Sequence, residues 1–215
     1  MKQVRGIWLP DGEEHLPQIL ERARLAEGVP EYQADKLRHS LVWVKKWRTA
    51  VDAGAHVGLW TLPLSRMFAK VHAFEPVLEH QECFVKNTEG LGVQLYPCAL
   101  GEWPGRVAFS APAGLNCDAR IDMNGNGDIE MRRLDDFELA HVDYLKVDCN
   151  GYELHALRGA QATLQRCRPC VVVEQKPGRA QRFGLPENGA VLYLQWLGAV
   201  VRDCMNGVYV LSWEG

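Results

Sequence analysis

Ala50-Val51-Asp52-Ala53-Gly54-Ala55-His56-Val57-Gly58-Leu59-Trp60 is an apolar run that ends near an acid, passes through a glycine loop and continues toward a helix. Glycine permits the tight turn and lets a ligand approach the backbone, and the first N–H groups of the following helix face whatever lies there. The dinucleotide pattern G-x-G-x-x-G is absent, and no Lys-Ser/Thr follows as in a phosphate-binding P-loop. A carboxylate at the strand end meets a pyrophosphate as a like charge, whereas it suits a cation. By itself the stretch equally fits a strand-end Asp52 that caps the next helix.

Outward from this loop, apolar runs at 49–53, 71–74, 93–96, 144–147 and 170–174 alternate with helical stretches, which predicts a parallel sheet covered by helices. Upstream, helices are expected at 15–26 and at 32–44, where Leu37, Leu41 and Val44 share a face, and together these form an N-terminal cap. Between the third and fourth strands, the runs 106–110 and 131–134 and the turn-rich Asn124-Gly125-Asn126-Gly127 predict a hairpin or loop insertion. At the end, a helix at 191–197 precedes two apolar runs, 199–202 and 208–212, across Asn206-Gly207, a hairpin signal. The sheet is therefore expected to finish with an antiparallel pair. A chain of 215 residues with 47% apolar content buries one substantial core, so one domain spans 1–215, with the cap at 1–46 and the core at 47–215.

The net charge of −3, with Lys45-Lys46, Arg132-Arg133 and Arg166/Arg168 scattered among acids, gives no support to a nucleic-acid track. No apolar run nears a membrane span and no signal-like segment opens the chain, so a cytoplasmic protein without membrane attachment is expected. Seven cysteines, mostly in or beside apolar segments, suit reduced core thiols. Cys167-Arg-Pro-Cys170 lacks the second ligand pair of a zinc site and precedes a strand, as a helix-to-strand connection does.

Three elements point to one ligand. Asp52 and its loop suit S-adenosylmethionine, whose methionine end carries a sulfonium and an amine. Glu75, in Phe74-Glu75-Pro76, ends the next strand 23 residues after Asp52, near the interval at which an acid accepts ribose hydroxyls in nucleotide-binding βαβ units. Alternatively it serves the positive end of the helix that follows Pro76. Tyr144-Leu145-Lys146-Val147-Asp148-Cys149-Asn150-Gly151-Tyr152-Glu153 brings Lys146, Asp148 and Glu153 to the carboxyl edge of the sheet, where open α/β folds bind ligands. The plain alternatives are that Asn150 caps the next helix, Glu153 answers its dipole and Lys146 pairs with an acid. Asp148, at a buried strand end where a lone carboxylate is costly, is the strongest functional candidate.

In order, VDAGAHVG (51–58), FEP (74–76), Ala99-Leu100-Gly101, RLDDF (133–137), LKVDCNGYELHALRGA (145–160) and VVVEQ (171–175) resemble the FkbM family of S-adenosylmethionine-dependent methyltransferases. The resemblance implies a Rossmann-like class I methyltransferase fold: a seven-stranded, mostly parallel sheet, helices on both faces and an antiparallel C-terminal strand. It further implies that Asp52, Gly54, Ala55, His56, Gly58, Glu75, Pro76, Ala99, Leu100 and Asp148 bind the cofactor. Two departures stand out. Cys149-Asn150 replaces the usual apolar-acid pair, and His56 stands where Asn is common.

Methyl transfer from a sulfonium asks the protein chiefly to align the acceptor and exclude water. For a hydroxyl acceptor a general base helps, and Asp148, Glu153, His155 and Glu174 are candidates, with Lys146 beside them; His155 equally suits a solvent-facing position. A metal-assisted variant would use Asp148 and Glu174, but two carboxylates so far apart in sequence argue for a metal-free site. Trp43, Trp47 and Tyr32 of the cap either close over the cofactor or serve as plain core. The expected reaction is O-methylation of a sugar or other small molecule. The alternatives are a nucleobase or protein acceptor, or a cofactor-binding module without turnover.

Overall fold

The computed structural model describes residues 1–110, 118–122 and 127–214. The N-terminal segment holds two small hairpins besides the two expected helices. β1 (Lys2–Val4) and β2 (Ile7–Leu9) form a hairpin across Arg5-Gly6, both in left-handed backbone. α1 covers His15–Arg22, and Ala23 then turns extended, so the helix expected to reach 26 stops early. The chain continues as a second small hairpin of β3 (Leu25–Ala26) and β4 (Val29–Pro30) around Glu27-Gly28. α2 spans Ala34–Leu41, shorter than the expected 32–44, because Gln33 is left-handed.

The core follows as β5 (Thr49–Ala53), α3 (Thr61–Met67), β6 (Lys70–Phe74), α4 (Leu78–Asn87) and β7 (Val93–Tyr96). A small four-stranded sheet comes next, where sequence indicated only a hairpin or loop. It contains β8 (Ala99–Leu100), β9 (Gly105–Ser110), β10 (Arg120–Asp122) and β11 (Ile129–Arg132) in the order β10-β9-β11-β8. The predicted turn at Asn124-Gly125-Asn126 lies outside the described residues. The chain then returns to the core through β12 (Tyr144–Val147), α5 (Glu153–Arg158), α6 (Gln161–Cys167), β13 (Cys170–Glu174), α7 (Gly189–Trp196), β14 (Val200–Met205) and β15 (Val208–Ser212).

The main sheet has seven strands in the order β14-β15-β13-β12-β5-β6-β7. β5, β6, β7, β12 and β13 are mutually parallel, and β15 runs antiparallel to both β13 and β14. The expected C-terminal hairpin is thus present, turning through Asn206 and Gly207, both with positive φ. Every residue of β5, β12 and β13 is buried, as for strands covered on both faces. One face packs Val51, Leu145, Val147, Val171 and Val173 with Leu157, Leu164 and Leu194 of α5, α6 and α7. The other packs Ala50, Tyr144 and Val172 with Leu37 of α2 and Leu64 of α3. Cys167 ends α6 and Cys170 begins β13, both as free thiols, so the C-x-x-C is a helix-to-strand connection. No helix among the described residues is long and apolar enough to cross a membrane.

Candidate active site

The chain order reverses between β5 and β12: β6 and β7 lie to one side of β5, while β12 and β13 lie to the other. Loops that leave neighbouring strands in opposite directions open a crevice at the carboxyl edge, which is where ligands bind in such sheets. The parallel register sets Lys146 opposite Asp52, so both side chains leave the same face. They meet there as a buried ion pair, with Lys146 Nζ 3.1 Å from Asp52 Oδ1. Thr61 Oγ1 donates to Asp52 Oδ2 at 2.7 Å, and Lys146 Nζ donates to the Gly54 carbonyl at 2.7 Å. Burial alone would lower the Lys146 ammonium, but the Asp52 and Asp148 carboxylates outweigh it and hold it above the ordinary lysine value. Lys146 therefore stays charged and braces the glycine loop from beneath. Asp52 is fully buried under that loop.

Gly54 has φ +75, and a Cβ there would lie 2.0 Å from the Asp148 carbonyl oxygen. The close approach of the two loops thus requires glycine. His56 also has positive φ, and its N–H donates to Glu75 Oε2 at 2.8 Å. Glu75 Oε1 accepts from Val77 N at 2.9 Å and pairs with His80 Nδ1 at 3.0 Å. The His80 ring lies against that of His56, centroids 4.0 Å apart. A carboxylate has about four acceptor sites, and these three bonds leave Oε2 with room for another donor. Burial, then the neighbouring His80 and Lys146, push the His56 imidazole well below its usual pKa, so it is neutral. Its Nε2 is buried without a hydrogen-bond partner.

Asp148 follows β12, and its N–H donates to the Ala53 carbonyl at 3.1 Å, continuing the ladder by one step. Its carboxylate takes no hydrogen bond among the described residues. The turn beyond it is built on Glu153, which accepts from Cys149 N and Gly151 N at 2.9 Å each. Burial first, with Asp148 nearby adding to it, lifts Glu153 to about 7 against the opposing pull of those N–H groups. Asn150 donates to the Ala119 carbonyl at 2.9 Å, and Arg179 donates to Asn150, Glu174 and Asp118. Arg179 and Asn150 together hold the 118–122 segment against the mouth of the crevice. Lys176 Nζ adds a pair with Glu174 Oε1 at 2.7 Å. Glu174 is thereby fully engaged, and among the described residues no group of three His, Cys, Asp or Glu is placed to hold a metal ion.

These loops line a cleft that opens to solvent. Of the residues singled out by sequence, Gly54, Ala55, His56, Glu75, Pro76, Ala99, Leu100, Lys146 and Asp148 line it. Asp52, Gly58 and Glu153 stand behind its wall, Gly58 turning the loop against the Phe84 ring. His155 lies away from the cleft and pairs with Glu102 at 3.0 Å. Tyr32 of the cap lines the cleft, whereas Trp43 and Trp47 are partly exposed elsewhere.

Sequence reasoning passed over His80, Arg179 and the apolar wall of Cys98, Phe109 and Ile121. A signal existed for His80, five residues after Glu75 and so in the first turn of the next helix. Arg179 bears the same five-residue offset from Glu174. Nothing in the sequence indicated that Phe109 and Ile121, from the inserted sheet, fold back over the core.

The sequence pattern of the methyltransferase FkbM domain family matches residues 52–204. "Methyltransferase 1" of Beauveria bassiana (strain ARSEF 2860) is 30% identical over 141 residues, 51% of this chain and 57% of that protein. The crystal structure of methyltransferase FkbM from Methylobacillus flagellatus KT superposes with a TM-score of 0.53 at 18% identity, covering 80% of this chain and 47% of that one. The precorrin-6y C5,15-methyltransferase of Geobacter metallireducens GS-15 gives a TM-score of 0.52 at 15% identity, covering 99% and 100%. At these identities the two structures speak for a shared fold, and the chain spans about half the length of the Beauveria and Methylobacillus proteins. Matched over most of its length and built on the corresponding sheet, the chain belongs to the methyltransferase FkbM domain family.

Proposed function

We propose that the chain is an S-adenosylmethionine-dependent methyltransferase that methylates a hydroxyl of a sugar or other small molecule. The observation that carries this reading is Glu75: a buried strand-end carboxylate, fixed by His56 N, Val77 N and His80, with acceptor capacity left on the cleft side. A ribose diol supplies the donors it wants. The apolar wall of Cys98, Leu100, Phe109 and Ile121 suits an adenine ring, and the glycine loop at Gly54 gives backbone access for the methionine end.

When bound, the cofactor supplies an electrophilic methyl group on a sulfonium that is a good leaving group. The chain's own task is alignment and exclusion of water. Asp148, a lining carboxylate without a hydrogen bond among the described residues, would answer the cationic end of the cofactor and would take the proton of an acceptor hydroxyl. Lys146 keeps the loop in position and, held charged, takes no proton from the acceptor. Tyr32 and Leu16 of the cap line the same cleft and limit water entry. The free thiols among the described cysteines suit a reducing compartment, in line with a cytoplasmic enzyme.

Thermal denaturation with S-adenosylmethionine or S-adenosylhomocysteine tests the reading. At a ligand concentration 100 times Kd, the melting temperature should rise by about 5–10 °C, and Glu75→Gln should remove most of the rise. No shift with the wild-type chain overturns the proposal. A labelled-methyl screen over sugars, hydroxylated small molecules, nucleosides and proteins then assigns the acceptor; transfer to nucleosides or proteins alone overturns that part.

A further inference from the structure

β5, β6, β12 and β13 are parallel and end at the cleft, so the chain that leads into them lies at the opposite edge of the sheet. β15 is antiparallel to them, and its last residue, Ser212, pairs with Val200 of β14 at that same edge. The connection from α2 into β5 runs there as Val42-Trp43-Val44-Lys45-Lys46-Trp47-Arg48. A surface connection is ordinarily polar, yet Val42 is 74% exposed, Trp47 42% and Trp43 37%. The neighbouring connection into β6 adds Met67, 41% exposed. It is fastened to Trp47, whose carbonyl accepts from Ala69 N at 3.0 Å and whose ring lies against that of Phe68, centroids 5.1 Å apart.

Cations surround these apolar groups. Lys45, Lys46, Lys70 and Arg168 are exposed, and their side chains make no hydrogen bond or ion pair among the described residues. The Arg202 guanidinium lies over the Trp43 ring, 4.6 Å from its centre. Lys45, Lys46 and Arg168 line one groove with Trp43. Of the two acids in that groove, Asp143 is taken by Arg48 through both carboxylate oxygens, at 2.9 and 2.6 Å, which leaves Glu214 against three cations. This edge is therefore locally positive in a chain whose net charge is −3. Leu192 and Trp196 of α7 are also exposed, but that helix carries no charged residue that would select a partner.

The mixture of groups selects the partner. Cations alone would suit any polyanion and indoles would stack on bases, but an exposed valine and methionine gain nothing from a phosphate backbone. A bilayer with anionic lipids uses all three: its phosphates meet the lysines and arginines, its headgroup boundary the indoles, and its outer acyl chains the aliphatic side chains. We propose that the 42–48 connection, with Met67, Lys70 and Arg168 beside it, docks the protein on an anionic lipid surface, leaving the cleft at the opposite edge open to solvent. Attachment of this kind is peripheral and requires no spanning helix, so the lack of a long apolar run does not bear on it. The proposal stands apart from the cofactor reading.

Co-sedimentation of the purified chain with vesicles tests this, using phosphatidylcholine alone and phosphatidylcholine mixed with phosphatidylserine in roughly equal parts. The chain should sediment with the anionic vesicles only, and added sodium chloride should release it. Lys45→Gln together with Lys46→Gln should weaken partition roughly 25-fold, at about fivefold for each charge. Val42→Ser, which leaves every charge in place, should weaken it about fivefold through the lost aliphatic contact. Both variants should melt with wild type, which separates lost docking from lost folding. Should either fail to fold, wild-type tryptophan fluorescence decides: lipids brominated on their acyl chains should quench it in anionic vesicles and not in neutral ones, and the absence of quenching refutes the proposal. A wild-type chain that stays in solution with anionic vesicles, or sediments equally with neutral ones, overturns it. An unaffected Val42→Ser variant overturns it as well, because the apolar contact is then missing. Release by inorganic phosphate beyond that by chloride of equal ionic strength would assign the groove to a free phosphate instead, and tighter binding to an oligonucleotide than to the vesicles would assign the surface to nucleic acid; either result refutes lipid docking.

Discussion

Replacing Lys146 by Met removes the ammonium beneath the glycine loop while keeping most of the side-chain volume. The structure sets the cost. Asp52 is fully buried and would keep only the Thr61 hydroxyl, and the Gly54 carbonyl would lose its donor. Breaking a buried pair from one side costs about 3–5 kcal/mol, because the remaining charge is stranded. For a domain of this length, about 2–4 °C of melting temperature accompany each kcal/mol, so Lys146→Met should melt roughly 6–20 °C below wild type. Adding Asp52→Asn removes the stranded charge and keeps the bond to Thr61, so the double variant should regain at least half of the loss. The assay is thermal and urea denaturation of wild type, both single variants and the double variant, near pH 7.5. A coupling of about 2 kcal/mol or more between the sites is expected. A Lys146→Met chain melting within 2 °C of wild type, or strictly additive effects, would refute the view that this pair supports the loop.

Two further outcomes follow from the same site. Gly54→Ala must place a Cβ 2.0 Å from the Asp148 carbonyl oxygen at φ +75, so the loops must part; a loss of about 3 kcal/mol or more and weaker S-adenosylhomocysteine binding are expected, and near-wild-type melting and affinity would contradict the packing. Glu153 is raised by burial from 4.5 to about 7, so the folded state holds its proton more tightly than the unfolded chain. Its contribution is complete below about pH 4.5 and is lost as pH rises to about 7, a change of about 3 kcal/mol. Relative to wild type, Glu153→Gln should therefore lose less stability in urea melts between pH 5 and pH 8; identical pH slopes would show that the burial has been misjudged.

Strands whose every residue is buried announce themselves as apolar runs, and for that reason β5, β12 and β13 were legible in the sequence at nearly their observed bounds. Asn206-Gly207 was legible as well, because few dipeptides accept two left-handed residues so readily. The N-terminal hairpins turn on Arg5-Gly6 and Glu27-Gly28, where a long charged residue takes the left-handed position, so the usual turn chemistry gave no warning. β8 to β11 are short and mostly half-buried, and their pairing depends on partners distant in sequence. At the site, Glu75 and Asp148 could be placed on the sheet edge from strand positions alone. Whether a polar side chain then faces the cleft or its supporting wall depends on register and neighbours. Asp52 turns under the loop because Lys146 stands opposite it, and His155 turns away toward Glu102.

Asn87, at the end of α4, uses its side-chain amide as a piece of backbone. It accepts from Trp8 N at 2.7 Å, donates to Trp8 O at 2.9 Å and donates to Val57 O at 2.8 Å. The first hairpin of the chain is thereby joined through one amide to the residue before Gly58. Any attempt to trim this protein to a minimal ligand-binding fragment by starting after residue 46 would sever that joint and uncover Leu59 and Leu62, which pack against Leu9, Leu16 and Leu20. The first twenty residues are in that sense part of the loop's mounting, and a fragment without them should be insoluble or unable to keep the loop in shape.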